Sequence, residues 1–446
     1  MTMDMTKGPV MRSMLRFAVP MILGNLLQQC YNIVDTLIVG QFIGADALAA
    51  VGSAFTLMTF LTSILLGLCM GSGNVFSIRF GERNEEALRE SVCTSFVLIA
   101  GLTILINISA FAFLNKIEVL LQVPDEVWGL MREYLLVIFG GIAATFLYNY
   151  FASYLRAIGN SMVPLIFLGI SAVLNIVLDL LFIVGFKWGV SGAAVATVIS
   201  QYISGIGIAV YTLKKSIRLD EIKLGFNINL SGIKEIAGFS VLTCIQQSVM
   251  NLGILMVQGL VNSFGTTIMA AFAAAVKIDA FAYMPVQDFG NAFSTFISQN
   301  YGAKKEERIH KGLKGAVFVT CAFGLAVSVI VCVFARQLMT VFVGTKEPEI
   351  VAQGVRYLRI EGAFYFAIGC LFLLYGLYRA IGKPGMSVVL TFISLGTRVL
   401  LAYILSALPL FGVKGIWWAV PIGWILADAV GIIYYVCSTK RHRLRR

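Results

Sequence analysis

Residues 17–52 read FAVPMILGNLLQQCYNIVDTLIVGQFIGADALAAVG, and the reading of this stretch decides the class of the whole chain. At about 100° per residue, Gln28, Asn32 and Asp35 fall at i, i+4 and i+7, so a narrow polar stripe ends in a carboxylate on an otherwise apolar helix. The uncharged run continues beyond Asp35 through Val39, and Gly44-Ala45-Asp46 supplies the turn. Asp35 therefore lies inside a membrane span rather than at its rim. A carboxylate there costs about 2.5–3.5 kcal/mol on insertion scales, which makes it a functional candidate whose partner has to be found.

Working outward, the composition agrees with a membrane reading. The 446 residues are 59% hydrophobic and 13% charged, with mean hydropathy +0.87, which excludes a soluble domain around one core. Apolar segments long enough for a ~30 Å hydrocarbon core recur at residues 17–41, 51–77, 92–115, 134–153, 164–184 and 191–213, and again at 236–262, 267–297, 315–335, 357–378, 386–408 and 416–437. The expected fold class is an all-α polytopic membrane protein of twelve transmembrane helices. The alternating pattern of a membrane barrel is absent.

Charge sets the orientation. Cations such as Arg12, Arg16, Arg79, Arg83, Arg156, Lys214, Lys215, Lys304, Lys305, Arg308, Arg379 and Lys383 fall on one side with the tail Lys440 to Arg446, against Lys116, Lys187, Arg336, Lys346 and Lys414 on the other. The positive-inside rule then puts both termini in the cytoplasm of a multi-pass protein of the cell (inner) membrane. The formal net charge of +11 is spread over these loops with no basic domain, so no nucleic-acid partner is expected. The first apolar run is too long for a signal peptide, and it is expected to be retained. Eight cysteines without CxxC spacing and two histidines, His310 and His442, give no disulfide framework and no His-based metal or catalytic centre. Neither HExxH nor GxxxxGK[ST] occurs, so an enzyme and an ATP-driven pump are both disfavoured. No cofactor is expected.

The chain also repeats itself. Arg156-Ala157-Ile158-Gly159 returns as Arg379-Ala380-Ile381-Gly382, a displacement of 223 residues. Tyr134-Leu135 returns as Tyr357-Leu358, and Gly189-Val190-Ser191-Gly192 returns as Gly412-Val413-Lys414-Gly415, at the same displacement; Gln28-Gln29 matches Gln246-Gln247 slightly earlier. Six helices per copy give two parallel six-helix repeats, expected to flank a central cleft. The expected division is an N-terminal lobe over residues 1–213, a cytoplasmic linker over 214–235 and a C-terminal lobe over 236–446 that ends in a basic cytoplasmic tail.

Within the first copy, Asp35, Asp179 and Thr197 lie about five to seven residues inward from the outer ends of their helices, hence roughly 8–10 Å deep. Asn175, one turn from Asp179 on the same face, is positioned to join them. Two carboxylates, an amide and a hydroxyl would suit a sodium ion as a hard cation, and the carboxyl pair would equally suit a proton. The plainer alternative is that Asn175 and Asp179 only tie helices together. In the second copy, Asp179 maps to Ala402, Asn175 to Arg398 and Thr197 to Val420, so ion coupling is expected in the first lobe alone.

Pro20, the Gln28-Gln29 pair, Asn32, Asp35, Gly40 and Ala47-Leu48-Ala49-Ala50, together with the paired RAIG and GVxG landmarks, resemble the multidrug and toxic compound extrusion (MATE) family over about residues 12–437. The resemblance is to the bacterial DNA-damage-inducible-type subgroup, whose cation site falls on Asp35, Asn175, Asp179 and Thr197. It implies two six-helix lobes and secondary antiport of organic cations or drugs against protons or sodium ions. It also suggests a bend at Pro20, which removes one helix hydrogen bond. Gln28, Asn32, Gln246, Gln247, Asn251, Lys277 and Asp279 are candidates for the substrate-facing walls, and Arg398 with Asp428 for a buried structural pair. A flippase for a lipid-linked or amphipathic metabolite on a related scaffold is the alternative. The expected partners are small organic molecules and membrane lipid, with the protein a monomer.

Overall fold

The computed structural model describes residues 3–116, 125–217, 230–344 and 347–443. Of the expected linker 214–235, residues 218–229 lie outside the described residues, as do Lys346, Arg445 and Arg446. Every regular element within them is helical, as a hydrocarbon solvent requires, because a helix satisfies its backbone polar groups internally. In chain order the helices are α1 (Val10–Phe42), α2 (Ala45–Glu82), α3 (Glu85–Ala112), α4 (Asp125–Phe139), α5 (Ile142–Ala157), α6 (Met162–Asp179), α7 (Gly189–Thr212), α8 (Leu230–Asn262), α9 (Thr266–Gly302), α10 (Glu306–Val343), α11 (Pro348–Gly362), α12 (Tyr365–Ala380), α13 (Pro384–Ala407) and α14 (Val413–Arg443). Large apolar side chains face outward, among them Ile104, Leu105 and Ile108 of α3 and Val329, Val333 and Phe334 of α10, which suits a lipid-facing surface.

Ten helices among the described residues are long and apolar enough to span a membrane, and the bent pairs α4–α5 and α11–α12, at 47° and 51°, bring the number to twelve if each pair is one span. The unbroken spans expected at 134–153 and 357–378 are thus corrected to broken ones. At the first corner, Gly140 N–H donates to Val137 O at 3.0 Å and Gly141 N–H to Ile138 O at 2.8 Å, tight turns that end the α-helical ladder. A Cβ on Gly141 would lie 2.9 Å from Gln201 Oε1, so glycine lets α7 come close at this corner. At the second corner Phe364 N–H donates to Glu361 O at 3.0 Å.

The chain forms two compact units, one of Met1–Asp4 with Val19–Cys244 and the other of Met5–Ala18 with Ile245–Arg446. Two helices change unit partway: α1 at Val19, the residue before Pro20, and α8 at Ile245, the residue before Gln246. Residues 236–244, expected to open the second lobe, are therefore part of the first unit. The cause is close packing on α2, where a Cβ on Gly71 would lie 2.5 Å from Phe239 O, Ser72 Oγ meets Ser240 Oγ at 2.8 Å, and Arg79 donates to Glu235 at 2.5 Å. In the second unit the fully buried Met5 donates its N–H to Gln299 Oε1 at 3.0 Å, and its carbonyl accepts from Asn300 at 3.2 Å and from Arg308 at 3.0 Å.

Each unit has its own aromatic core. In the first, Phe76, Phe96, Phe146 and Phe151 surround Tyr150, whose hydroxyl donates to Val92 O at 2.6 Å. In the second, Phe272 and Tyr357 pack on the Trp417 indole at centroid distances of 5.5 and 4.8 Å.

Candidate functional site

Three helices of the first unit carry the expected cluster. Asp35 lies on α1, Asn175 and Asp179 on α6, and Thr197 on α7. The last turn of α6 does not continue as an α-helix: residues Leu180–Gly185 form a wider π-type turn, with Phe186 N–H reaching back five residues to Leu181 O at 2.9 Å. Asp179 is the last residue before that widening, a position where the ladder changes register and a side chain is re-aimed.

The four side chains do come together. Asn175 Nδ2 donates to Thr197 Oγ1 at 3.2 Å, which fixes the amide so that its oxygen is the free end. The Asp35 and Asp179 carboxyls lie close enough to act on each other. Asp179 is 0% exposed and Asn175 2%. Four buried oxygens nevertheless have no protein partner: Asp35 Oδ1, Asn175 Oδ1 and both oxygens of Asp179. No lysine or arginine is among the groups acting on either carboxyl. A buried carboxylate without a cation is costly by several kcal/mol, so the arrangement calls for positive charge from outside the protein, as a proton or as a hard metal ion. Among the described residues no group of three or more His, Cys, Asp or Glu converges, and the oxygens on offer are those of two carboxyls, an amide and a hydroxyl.

Two tyrosines belong to this neighbourhood. Tyr31, one turn before Asp35 on α1, and Tyr134 of α4 both lie close enough to feel the charges of Asp35 and Asp179. The sequence reading used Tyr134 only as a repeat landmark and did not single out Tyr31. The available signal was the i−4 spacing of Tyr31 from Asp35.

The remaining candidates are dispersed. Gln28 is exposed, Asn32, Gln247 and Asn251 are partly buried, and Gln246 is buried with an unpartnered Oε1. Pro20 sits inside the continuous helix α1. Lys277 is exposed on α9. Asp279, expected on a substrate-facing wall, is instead 2% exposed inside the second unit. It accepts from the Tyr365 hydroxyl and lies near Tyr357, Glu361 and Arg398. The expected pairing of Arg398 with Asp428 is corrected: the Arg398 charge acts on Asp279 and Glu361, and Asp428 Oδ1 is without a partner. The reason is the corner between α11 and α12, which sets Glu361 and Tyr365 on either side of the bend and turns both toward α9.

Comparison with known proteins adds three findings. The MatE family model matches residues 20–181 and 240–404, two segments that follow the internal repeat. The chain is 30% identical over 434 residues to the probable multidrug resistance protein YpnP of Bacillus subtilis, covering 97% of this chain and 96% of that one, and 27% identical over 457 residues to the probable multidrug resistance protein YoeA of the same organism, covering 100% and 97%. A solved MOP superfamily transporter from Pyrococcus furiosus superposes with a TM-score of 0.90 at 24% identity, covering 97% of this chain and 96% of that one.

Proposed function

The chain belongs to the MatE family of membrane transporters, and from that premise we propose that it is a secondary active antiporter that exports organic cations or drugs in exchange for protons or sodium ions. The observation that carries this reading is the cluster of buried, unpartnered oxygens on Asp35, Asn175 and Asp179 with no protein cation beside it. Neighbouring carboxyls can take up a proton, and the same oxygens with Thr197 can coordinate sodium. Either ion couples to the substrate by binding one conformational state more tightly than the other. The multidrug resistance names of the relatives support an organic substrate. The excess of loop cations on one side supports a cell-membrane protein with both termini in the cytoplasm.

The test uses purified protein in liposomes, with inward pH and sodium gradients imposed separately and a fluorescent organic cation as probe. Uphill movement of the probe driven by one gradient is the expected result. Movement that ignores both gradients, with lipid-linked substrates translocated instead, would replace antiport by a flippase.

A further inference from the structure

The second unit brings together two thiols that lie far apart in the chain. Cys321 of α10 and Cys370 of α12, 49 positions apart, place their sulfurs 3.7 Å from each other. Both are free and partly buried. Their spacing forms no motif, so the sequence pointed to no disulfide there.

The contact is set by the two backbones. A Cβ on Gly324 of α10 would lie 2.7 Å from Phe366 Cα, and a Cβ on Gly369 of α12 would collide with the Thr320 methyl. Gly324 thus stands against Phe366, and one turn earlier on α10 Thr320 and Cys321 stand against Gly369 and Cys370, one turn later on α12. The helices run antiparallel, with glycine where they touch. The same register carries on past the corner, where Cys332 Sγ donates to Arg359 O at 3.8 Å. Glycine packing holds α10 and α12 closer than side chains would allow, and two sulfurs already in contact need only side-chain rotation to reach the ~2.0 Å of a bond.

Cys321 lies roughly 22 Å along α10 from Glu306, in the middle of the apolar layer. Charged oxidants and charged thiols are kept out at that depth, whereas a small neutral peroxide enters.

We propose that Cys321 and Cys370 form an oxidisable dithiol, a modification site at which hydrogen peroxide joins α10 to α12 through an intramolecular disulfide. One sulfur attacks a peroxide oxygen, the O–O bond breaks, and a sulfenic acid and one water are left. The second sulfur attacks the first, the S–O bond breaks, the S–S bond forms, and a second water leaves. The two thiol protons depart in the waters, and the two electrons lost by the thiols reduce the peroxide. The closed loop contains all of α11 and the 51° corner, so oxidation fixes that corner in place.

The experiment exposes purified full-length wild type, Cys321→Ala and Cys370→Ala to hydrogen peroxide, blocks remaining thiols with N-ethylmaleimide and digests with trypsin without reduction. Arg336, Arg356 and Arg359 separate the two cysteines. The monomer band of wild type is expected to give a peptide pair joining positions 321 and 370, two hydrogens lighter than its parts and released by dithiothreitol. Neither variant should give it. Because the bond constrains the unfolded chain, oxidised wild type is expected to unfold several degrees higher than reduced wild type, with no such shift in either variant. Recovery of both cysteines as maleimide adducts, under peroxide that fully oxidises free cysteine, overturns the proposal. A link found in a dimer band alone overturns it too, as does a disulfide that lowers the unfolding temperature, since the helices would then have had to move to meet.

Discussion

The two repeats solve the problem of buried carboxyls in opposite ways. In the first unit Asp35 and Asp179 face each other with an amide and a hydroxyl beside them and no basic side chain acting on them. In the second, Asp279 and Glu361 are served by the hydroxyls of Tyr365 and Tyr357 and by the charge of Arg398. A charge imported from water can leave again; a charge tethered to the backbone cannot. The difference teaches that duplication of a fold need not duplicate its chemistry, since Asp179, Asn175 and Thr197 of the first copy stand opposite Ala402, Arg398 and Val420 in the second.

The sharpest way to break the comparison is to neutralise the first cluster. Asp35→Asn or Asp179→Asn is expected to fold and insert but to lose ion-driven accumulation of the probe in liposomes. Because one elementary charge across 100 mV is worth about 2.3 kcal/mol, the attainable gradient should fall by roughly 50-fold for each coupled charge lost at that potential. Uphill transport retained by either variant would move the coupling site elsewhere.

Next in size is the second cluster, where loss of Asp279 should act on stability rather than on coupling. Asp279→Ala leaves the buried Tyr365 hydroxyl without its acceptor, and an unsatisfied buried group of this kind costs about 1–3 kcal/mol. A lowered unfolding temperature with the wild-type ion dependence of transport is the expected outcome. Loss of that dependence in protein that remains folded would show that the second repeat also couples.

A smaller change separates the two ions. Thr197→Ala deletes a hydroxyl that a sodium ion would use and a proton would not, at a cost of about 1–1.5 kcal/mol in ion binding, close to tenfold in affinity. Titration of probe binding with sodium and with pH in this variant should show a weakened sodium response and an unchanged proton response if sodium is the coupling ion. If protons alone drive transport, neither curve moves.

The smallest expected effect is at Lys277, exposed on α9 and two residues from Asp279. Residues so spaced point to different sides of a helix, so Lys277→Ala should alter which organic probes bind while leaving the ion titration in place. A shifted ion titration would tie Lys277 to the buried acids.

Much of this architecture was legible in the chain, and the reasons are physical. Apolar runs of membrane length, the 223-residue displacement and loop cations on one side report the helix number and the duplication, because the bilayer leaves few alternatives. The first cluster was legible too, since Asp35, Asn175, Asp179 and Thr197 can be placed by depth and helical face, and the structure brings them together. The corners at Gly140-Gly141 and before Tyr365 were not, because a corner inside an apolar run leaves its hydropathy unchanged. That hidden corner is also why Asp279, Glu361 and Arg398 were not joined: they lie on three helices, and depth counted along a straight span misplaces every residue beyond a 51° bend. The π-type turn after Asp179 was equally invisible, as it changes the hydrogen-bond ladder without requiring any particular residue type.

The crossing of α1 from one unit to the other has a consequence for biosynthesis. Met5 takes its hydrogen-bond partner from Gln299, 294 positions later. At about 5–20 residues per second, Met5 waits some 15–60 s for that partner to be made. Through that interval a side chain destined for complete burial stands uncovered while helix after helix is handed to the bilayer.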